Sequence, residues 1–505
     1  MTVDFASLPA LRNLKARLES PAGERVALVT LLASALGNVL IYWAAFARPF
    51  SLNAWIDRPL TDLYRISLQM PQARAILALG FVLLGALYWI GWRASRRVQT
   101  PTAWLAVIAS FVGASAVLLY MYPFGAADLF DNVMHGRILG VYRANPFVHV
   151  GVQFPDDPVL PYVAWKRTPS AYGPLWEGLA GLTAYLAGDD LTRNVISFKV
   201  LSGLFLAASG AIVVALLRRH APDRALPGAV LLLWNPVILY ETIGNGHNDM
   251  AMVFWILAAA WLISGRRDLL AILALTAGAL VKFIPLLMIP AAGWIALRRR
   301  PRLRDRIGFT MIAAVTSIGL VAAAYAPFWQ GMATLGVARR TALLTTSIGA
   351  ALYAWLAPRL GADVMKNYLA VGSALLTGAF ALGQAWAIRQ RDDWLAFPRA
   401  AFNILMFYLL ITCLWFQSWY ALWPLGLAAL LPPGHAARLG ALFGFAVLTK
   451  PLLFEPMWLW LRPLPPKAWR ELRLGPAVMS ISWAYALIAL YLCRRKGRQA
   501  DQEQI

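Results

Sequence analysis

Four ionisable side chains follow directly after an apolar segment. They lie in the stretch AADLFDNVMHGRILGVYRANPFVHV, residues 126–150, and are Asp128, Asp131, His135 and Arg137. Apolar walls at the end of a membrane span would raise the pKa of a carboxylate toward that of a working general base, so we predict that Asp128 is catalytic. Alternatively, Asp128 caps a surface helix. Asp131 follows one helical turn later and either faces the same cavity or makes a capping interaction.

A second polar cluster interrupts two apolar segments at GNGHND, residues 244–249. A glycine-rich turn whose Asn or Asp caps the next helix would need neither His247 nor two further polar side chains, Asn248 and Asp249. We therefore predict a function for this cluster. The chain has five histidines and no His-x-x-x-His or Glu-x-x-His pair, which argues against a tight zinc site.

Basic side chains occur at two further places where an apolar chain has little structural use for them. Lys282 lies in VKFIP, residues 281–285, and Arg339 and Arg340 lie in ARRT, residues 338–341. Basic groups that converge at a desolvated site would stabilise a phosphate leaving group. The alternatives are that Lys282 snorkels to the membrane surface and that the two arginines are solvated or contact lipid headgroups.

The composition indicates what must position these groups. The 505-residue chain is 60% hydrophobic and 14% charged, with a mean hydropathy of +0.59, which predicts one integral membrane domain over residues 1–505. The net charge of +22 gathers in short loops, as the positive-inside rule expects, so it does not indicate nucleic-acid binding. The two cysteines, Cys413 and Cys493, lie in apolar segments and suggest neither a disulfide framework nor a thiolate metal site. No removed signal peptide is expected in the first 25 residues.

The arginine-rich loops allow the chain to be threaded through a bilayer. With these loops inside, the predicted spans are 26–46, 74–92, 102–122, 196–217, 226–243, 249–264, 268–297, 307–328, 366–389, 399–416, 420–433, 438–450 and 476–493. Residues 268–297 are too long for one crossing, so we predict a hairpin of two short helices that breaks near Pro285. This gives about 12–14 transmembrane helices, an inner segment 1–25, an external loop 123–195 and an inner tail 494–505. Residues 172–188 are predicted to form an interfacial helix.

The threading places five polar segments on the non-cytoplasmic face: the Asp128 loop, residues 244–249, the hairpin tip with Lys282, residues 338–341 and residues 416–420. Because ionisable groups near membrane depth usually face a cavity or pathway, we predict a shared cavity there. The chain has no visible internal repeat or inverted pair of broken helices, which weakens a transporter interpretation without excluding it.

Several motifs occur in the order seen in the GT-C superfamily of membrane glycosyltransferases. The chain resembles the bacterial polyprenol-phosphate-mannose-dependent alpha-mannosyltransferases from about residue 100 to 450. The matching motifs are ADLFDNVMHGRILGVYRANPF, YGPL at residues 172–175, WNPVILYETIGNGHNDMAMVF, ALVKFIPLLMIP and QSWYALWPLGLAAL. NPVILYETIGNGHND is the most specific of them.

The resemblance implies roles for residues of this chain. Asp128 matches the aspartate that is the catalytic base or lies beside the acceptor, and Lys282 matches a lysine before a proline in the apolar hairpin. Gly136 and residues 145–147 match the pattern that closes the first external helix. The remaining matches are His247, Asn248, Asp249, Trp419 and Tyr420, and we add Tyr172, Gln417, Asp131, His135 and Arg137 as candidate substrate-binding residues. Asp131 replaces a common aromatic residue and His135 a commoner polar or acidic residue, which bears on the identity of the sugar and the acceptor.

The implied reaction moves a hexose, with mannose expected, from a polyprenyl-phosphate donor to a glycan or glycolipid acceptor with inversion. Asp128 would take the acceptor proton, and Lys282, Arg339 and Arg340 would hold the departing phosphate. No metal or other cofactor is expected. The implied location is the non-cytoplasmic side of the plasma membrane. The alternatives are a flippase for a polyprenyl phosphate or glycolipid and a non-catalytic envelope scaffold.

Overall fold

The computed structural model describes residues 21–125, 127–335, 344, 347–391, 393–432, 434, 440 and 443–448. In these residues the chain is helical, and the β-structure consists of two isolated bridges. The first nine α-helices are α1 (Pro21–Ile41), α2 (Leu52–Trp55), α3 (Leu63–Gln69), α4 (Ala73–Ser95), α5 (Pro101–Leu119), α6 (Asp128–Gly140), α7 (Pro174–Ala187), α8 (Leu191–His220) and α9 (Ala225–Leu233). The next nine are α10 (Pro236–Leu239), α11 (Asp249–Ser264), α12 (Asp268–Ala279), α13 (Ile289–Arg298), α14 (Leu303–Tyr325), α15 (Ile348–Leu360), α16 (Ala362–Ala387), α17 (Ala396–Phe407) and α18 (Leu422–Ala428).

Six of the described helical segments are long and apolar enough to cross a bilayer. They are Pro21–Ala47, Ala73–Ser95, Pro101–Leu119, Leu191–His220, Leu303–Phe328 and Ala362–Ala387. Helices satisfy their backbone hydrogen bonds internally, which a membrane-spanning segment requires. The predicted polytopic all-α membrane protein is therefore confirmed.

The predicted span 226–243 is broken rather than straight. Helices α9 and α10 are bent by 46° at their junction. The side chain of Asn235 accepts hydrogen bonds from the amides of Val237 and Ile238, and Pro236 occupies the first helical position. A proline cannot continue the ladder of the preceding helix, so the sequence starts a new helix at this point.

The predicted hairpin over residues 268–297 is present. Helices α12 and α13 are separated by a break and by a short 3-10 helix, Ile284–Met288. The start of α12 and the end of α13, which both lie away from the break, are held together by ion pairs. Asp268 at the start of α12 pairs with Arg299 at 2.5 Å and with Arg300 at 3.0 Å, both after the end of α13. Lys282 consequently lies at the tip, as predicted.

Several boundaries differ from the threading. Helices α2, α3 and α15 were not predicted, and four apolar helical segments are only 10–17 residues long: Asp249–Ser264, Asp268–Ala279, Ile284–Arg298 and Ala396–Thr412. The described residues thus contain six candidate spans, or seven with the bent pair, and the total of 12–14 stays a prediction. Residues 1–20, six of the thirteen residues of the predicted span 438–450, the span 476–493 and the tail 494–505 lie outside the described residues.

The loop that is predicted to be external contains two helices, α6 and α7, that pack closely together. Gly136 and Gly140 on one face of α6 lie so near the carbonyl groups of Ala180 and Gly181 on α7 that a Cβ atom at either glycine would collide with them. Helix α7 has 14 residues, about 21 Å of helix, which is short for a crossing. Its assignment as an interfacial helix stays a prediction.

The helical bundle has two chemically different ends. Asp249 and Lys282 mark one end, called here the Asp128 end because Asp128 lies with them. Arg266 and Arg299 mark the other, called the arginine end. Helix α11 runs from one to the other over 16 residues, about 24 Å.

Candidate active site

The centre of the Asp128 end is an ion pair between two helix junctions. Lys282 Nζ lies 2.6 Å from Asp249 Oδ1, and Trp423 Nε1 donates to the same oxygen at 2.6 Å. Asp249 is the first residue of α11 and is 1% exposed, so these two donors replace the water that its carboxylate loses on burial. The capping interpretation is wrong here: Asn248 occupies the N-cap position and makes no side-chain capping bond.

Three aromatic rings surround the ammonium group of Lys282. Nζ lies 5.4 Å from the ring centroid of Tyr172, 5.3 Å from that of Tyr420 and 5.7 Å from that of Trp423. The rings of Tyr420 and Trp423 stack at 4.4 Å. Cation–π attraction and the Asp249 carboxylate together fix the position of the ammonium group. The side chain remains 16% exposed, so the ammonium can still meet a ligand.

His247 lies flat against an aromatic ring beside this pair. Its ring stacks on Trp419 with centroids 4.0 Å apart, and its Nε2 atom lies 3.4 Å from Glu241 Oε2. Burial lowers the pKa of His247 well below its ordinary value, and the charge of Lys282 lowers it further. The imidazole is therefore neutral at neutral pH, which makes it a hydrogen-bonding group rather than a cation.

A short hydrogen-bond chain connects the GNGHND turn to the segment before Asp128. Asn245 Nδ2 donates to Glu241 Oε2 at 2.8 Å, and the amide of Gly125 donates to Asn245 Oδ1 at 3.1 Å. Gly246 completes the turn with φ +75°, where a side chain would also collide with Leu129 of α6. The turn therefore positions the N-terminus of α6 as well as its own His247.

Asp128 is the first residue of α6, and Ala127 occupies the N-cap position without a side-chain capping bond. The capping alternative for Asp128 is therefore not supported. Burial raises the pKa of the Asp128 carboxyl to about 6; Lys282 opposes this shift and Asp249 adds to it. The Asp128 carboxyl thus lies close enough to the ion pair to respond to both of its charges, and the residue as a whole is half-buried. A carboxyl of this pKa is largely ionised at neutral pH and is a better base than an ordinary aspartate.

Asp131 holds the loop that follows α6. Its Oδ1 atom accepts the amide hydrogen of Trp165 at 2.9 Å, and burial is the largest cause that raises its pKa to about 7. Asn132 accepts from Trp176 Nε1 at 2.7 Å and donates to the carbonyl of Asp128 at 2.8 Å. These contacts order the first turn of α6 from α7 and the loop together.

The YGPL segment brings Tyr172 to the site by docking on the hairpin tip. The amide of Gly173 donates to the carbonyl of Val281 at 3.0 Å, and the amide of Leu175 donates to the carbonyl of Leu280 at 3.0 Å. Tyr172 is therefore fixed beside Lys282 by backbone contacts. Burial raises the pKa of its phenol, so the hydroxyl stays protonated.

Two candidates on α6 point to other partners. His135 Nε2 lies 3.3 Å from the carbonyl oxygen of Thr168. Arg137 lies nine positions after Asp128, about 13 Å along the helix, and its guanidinium is buried against Asp157 at 2.7 Å, Asp189 at 2.7 Å and the carbonyl of Gly188 at 2.6 Å. This geometry gives Arg137 a structural task in the loop.

Some of the remaining candidates lie at the site and others do not. Tyr420 reaches Lys282, and Trp419 contacts His247 and Tyr420. Gln417 immediately precedes the 3-10 helix Ser418–Ala421 and accepts the amide hydrogen of Tyr420 at its carbonyl. Arg339 and Arg340 lie outside the described residues. The described residues contain no group of three or more His, Cys, Asp or Glu side chains placed to hold a metal ion, and a metal-free reaction stays a prediction.

The sequence analysis missed four residues of this site: Trp423, Glu241, Asn245 and Asn132. Trp423 had a usable signal, since it follows Tyr420 by three and Trp419 by four positions and thus shares their face on a helical turn. The other three act through hydrogen bonds to partners that are distant in the sequence, which spacing alone does not indicate.

Comparisons with known proteins identify the family of the chain. The family described as alpha-(1->6)-mannopyranosyltransferase, N-terminal domain, matches residues 31–298, slightly more than half of the chain. The chain is 27% identical over 375 residues to alpha-(1->6)-mannopyranosyltransferase A of Mycobacterium tuberculosis, covering 68% of this chain and 70% of that protein. It is 25% identical over 186 residues to the A protein of Corynebacterium glutamicum, covering 36% of each chain. It is 23% identical over 242 residues to the B protein of that organism, covering 45% of this chain and 39% of the other.

Proposed function

Because the chain belongs to the alpha-(1->6)-mannopyranosyltransferase family and is therefore a glycosyltransferase, we propose that it transfers mannose from a polyprenyl-phosphate donor to a mannose-containing glycan or glycolipid, forming an alpha-(1->6) linkage. The single observation that carries the proposed mechanism is the placement of the Asp128 carboxyl beside the Lys282–Asp249 pair. A base and a cation at one site are the two groups that transfer from a sugar phosphate requires.

Asp128 acts as the general base. Its carboxylate removes the proton from an acceptor hydroxyl, the hydroxyl oxygen attacks the anomeric carbon, and the bond from that carbon to the phosphate oxygen breaks. The polyprenyl phosphate leaves with the bonding electrons. Since one displacement inverts the anomeric centre, an alpha product requires a beta-linked donor. Asp249 is less suited to be the base because its Oδ1 atom already accepts from Lys282 and Trp423.

Lys282 stabilises the departing phosphate. Its ammonium carries three hydrogens, one of which is directed to Asp249, so two remain for phosphate oxygens. Arg339 and Arg340 are proposed to add charge to the same group. A monophosphate leaving group has few negative charges to neutralise, so basic side chains suffice without a metal ion.

The site is proposed to face the non-cytoplasmic side of the plasma membrane. The opposite end of the bundle carries Arg266, Arg298, Arg299 and Arg300 about 24 Å away along α11. Clustered arginines mark the cytoplasmic side of a membrane protein. The prenyl chain of the donor would lie between helices in the bilayer while its sugar occupies the site.

Transfer of radiolabelled mannose tests the function. Membranes that contain wild type, Asp128→Asn or the matched control Asp156→Asn receive polyprenyl-phosphate-mannose, -glucose or -arabinose together with an alpha-(1->6)-mannan oligosaccharide. Asp156 is an exposed carboxylate of the same external loop. We expect transfer from the mannose donor alone, a loss of roughly 10²- to 10⁴-fold in Asp128→Asn, and full activity in Asp156→Asn. Near-normal transfer by Asp128→Asn would refute the assignment of the base, and no transfer from any donor by intact wild type would refute the donor class.

A further inference from the structure

A glutamate is completely buried beneath the segment that carries Tyr172. Glu177 lies in the first turn of α7 and is 0% exposed, and its Oε1 atom lies 2.5 Å from the hydroxyl oxygen of Ser170, which is also 0% exposed. The Oε2 atom of Glu177 has no hydrogen-bond partner among the described residues. A buried polar group that leaves part of its bonding capacity unused destabilises a fold. Stability alone therefore does not explain why a carboxyl group occupies this position.

Hydrogen bonds connect Glu177 to the backbone of Tyr172. Ser170 Oγ accepts the amide hydrogen of Tyr172 at 3.1 Å, and the amide of Ser170 donates to the carbonyl of Pro146 at 2.8 Å. A serine hydroxyl has one hydrogen, and since Tyr172 is the donor in the first bond, this hydrogen is donated to Glu177 Oε1. The carboxyl group therefore fixes the orientation of the hydroxyl that holds Tyr172.

The chain is fixed independently on the other side of Tyr172. The amide of Gly173 donates to the carbonyl of Val281 at 3.0 Å, and Gly173 lies so near the carbonyl of Leu280 that a Cβ atom would collide with it. Residue 173 must therefore be a glycine for the segment to approach the hairpin tip. The anchors on the two sides, Ser170 and Gly173, together determine where the ring of Tyr172 can lie.

The contact that depends on these anchors tolerates little movement. The ring centroid of Tyr172 lies 5.4 Å from Lys282 Nζ, and cation–π attraction extends to only about 6 Å. A shift of the Tyr172 ring by roughly an ångström would therefore end the contact. Lys282 would then lose one of the three rings that surround its ammonium group.

We propose that Glu177 is a positioning residue of the active site, which acts through Ser170 to hold Tyr172 against Lys282. The consequence for donor binding rests on the proposed function, whereas the positioning itself does not. Burial raises the pKa of the Glu177 carboxyl to about 8, so this side chain is largely uncharged at neutral pH. Glutamine has the same shape and a carbonyl oxygen that accepts a hydrogen bond, so Glu177→Gln should preserve the connection and Glu177→Met should break it.

Two measurements on the purified full-length chain in detergent test the proposal. The first is the rate at which an amine-reactive ester modifies Lys282, followed by mass spectrometry of the peptide that contains it, which requires no turnover. The second is the KM for the donor and for the acceptor in the radiolabelled transfer assay. The variants are Glu177→Gln, Glu177→Met, Tyr172→Ala and the double variant of Glu177→Met with Tyr172→Ala. Ser170→Ala interrupts the same connection by a smaller change and replaces Glu177→Met if that variant does not fold.

Asn194→Leu is the matched control. Asn194 is likewise 0% exposed, and its side chain donates to the carbonyls of Gly188 and Asp190 beyond the far end of α7. The control removes a buried polar group from the neighbouring helix without touching the connection to Tyr172.

We expect Glu177→Met and Ser170→Ala to accelerate the modification of Lys282 and to raise the KM for the donor, each on the order of tenfold, because one lost buried hydrogen bond corresponds to about this factor. The KM for the acceptor should be unchanged, and Glu177→Gln and Asn194→Leu should behave as wild type. The double variant should be no worse than Tyr172→Ala, because the two residues act along one path.

Three results would overturn the proposal: unchanged modification of Lys282 in both Glu177→Met and Ser170→Ala, the same defect in Asn194→Leu, or a double variant in which the two single effects multiply. The expected modification rates together with no transfer by wild type would support the positioning role and refute the proposed function.

Discussion

Asp249 and Lys282 are 33 residues apart in the sequence, yet their side chains meet at 2.6 Å. Asp249 begins α11 and Lys282 lies just after the end of α12. The pair therefore joins the start of the first helix to the end of the second, at the side opposite the turn between them. The pair gives the Asp128 carboxyl neighbours of both signs. It therefore connects the architecture of the bundle to the proposed chemistry.

The pH dependence of transfer should report the Asp128 carboxyl. Its pKa is raised to about 6 by burial, and catalysis requires the ionised form, so kcat/KM should fall about tenfold per pH unit below 6 and be level above it. Lys282 lowers this pKa and Asp249 raises it. The acid limb should accordingly move to higher pH in Lys282→Met and to lower pH in Asp249→Asn. An acid limb that stays at the same pH in both variants would assign it to another group.

Breaking the central ion pair should affect stability and donor binding separately. Lys282→Met leaves the Asp249 carboxylate buried with Trp423 as its donor, and loss of one partner of a buried pair costs about 3–5 kcal/mol. Adding Asp249→Asn should restore much of the melting temperature because the unpaired charge is gone. Donor binding should not return, since the phosphate still lacks its cation. A double variant with a wild-type KM for the donor would make the pair purely structural.

The indole N–H of Trp423 should matter more for activity than for packing. Trp423→Phe retains an aromatic ring but removes the hydrogen bond to Asp249, at a cost of about 1–3 kcal/mol in the free energy of unfolding. Trp234→Phe is the matched control, because this buried indole donates to the carbonyl of Val107 away from the site. Transfer per folded molecule, measured at equal protein, should drop only in Trp423→Phe. Equal activities of the two variants would contradict this role.

Arg137 should prove structural rather than substrate-binding. Its guanidinium is 1% exposed and bound to Asp157 and Asp189, so Arg137→Met should cost about 3–5 kcal/mol in the free energy of unfolding. The KM values of the folded fraction should be unchanged. Asp189→Asn should cost much less, because that carboxylate is 82% exposed and exposed pairs contribute little. A raised KM in a variant with wild-type stability would return Arg137 to the substrate site.

Much of this arrangement follows from local sequence. Runs of apolar residues and the arginine loops predict helices that cross a membrane, and Pro285 predicts the hairpin break that exposes Lys282. Asn235 and Pro236 start a new helix and bend the span 226–243. The continuous hydropathy of this span hides the bend from a prediction based on apolar length. Helix α15 was missed because an apolar segment of 13 residues is shorter than a crossing and gives a weak hydropathy signal.

The sequence by itself determined the class of protein, the polar clusters and the residue types available for chemistry, because hydrophobicity and charge act locally along a membrane chain. Only the tertiary structure decided how these clusters combine. It assigned Lys282 to Asp249, added Trp423, seated His247 on Trp419 and directed Arg137 into the loop. Such pairings depend on which helix ends converge, and that is set by packing between segments far apart in the chain.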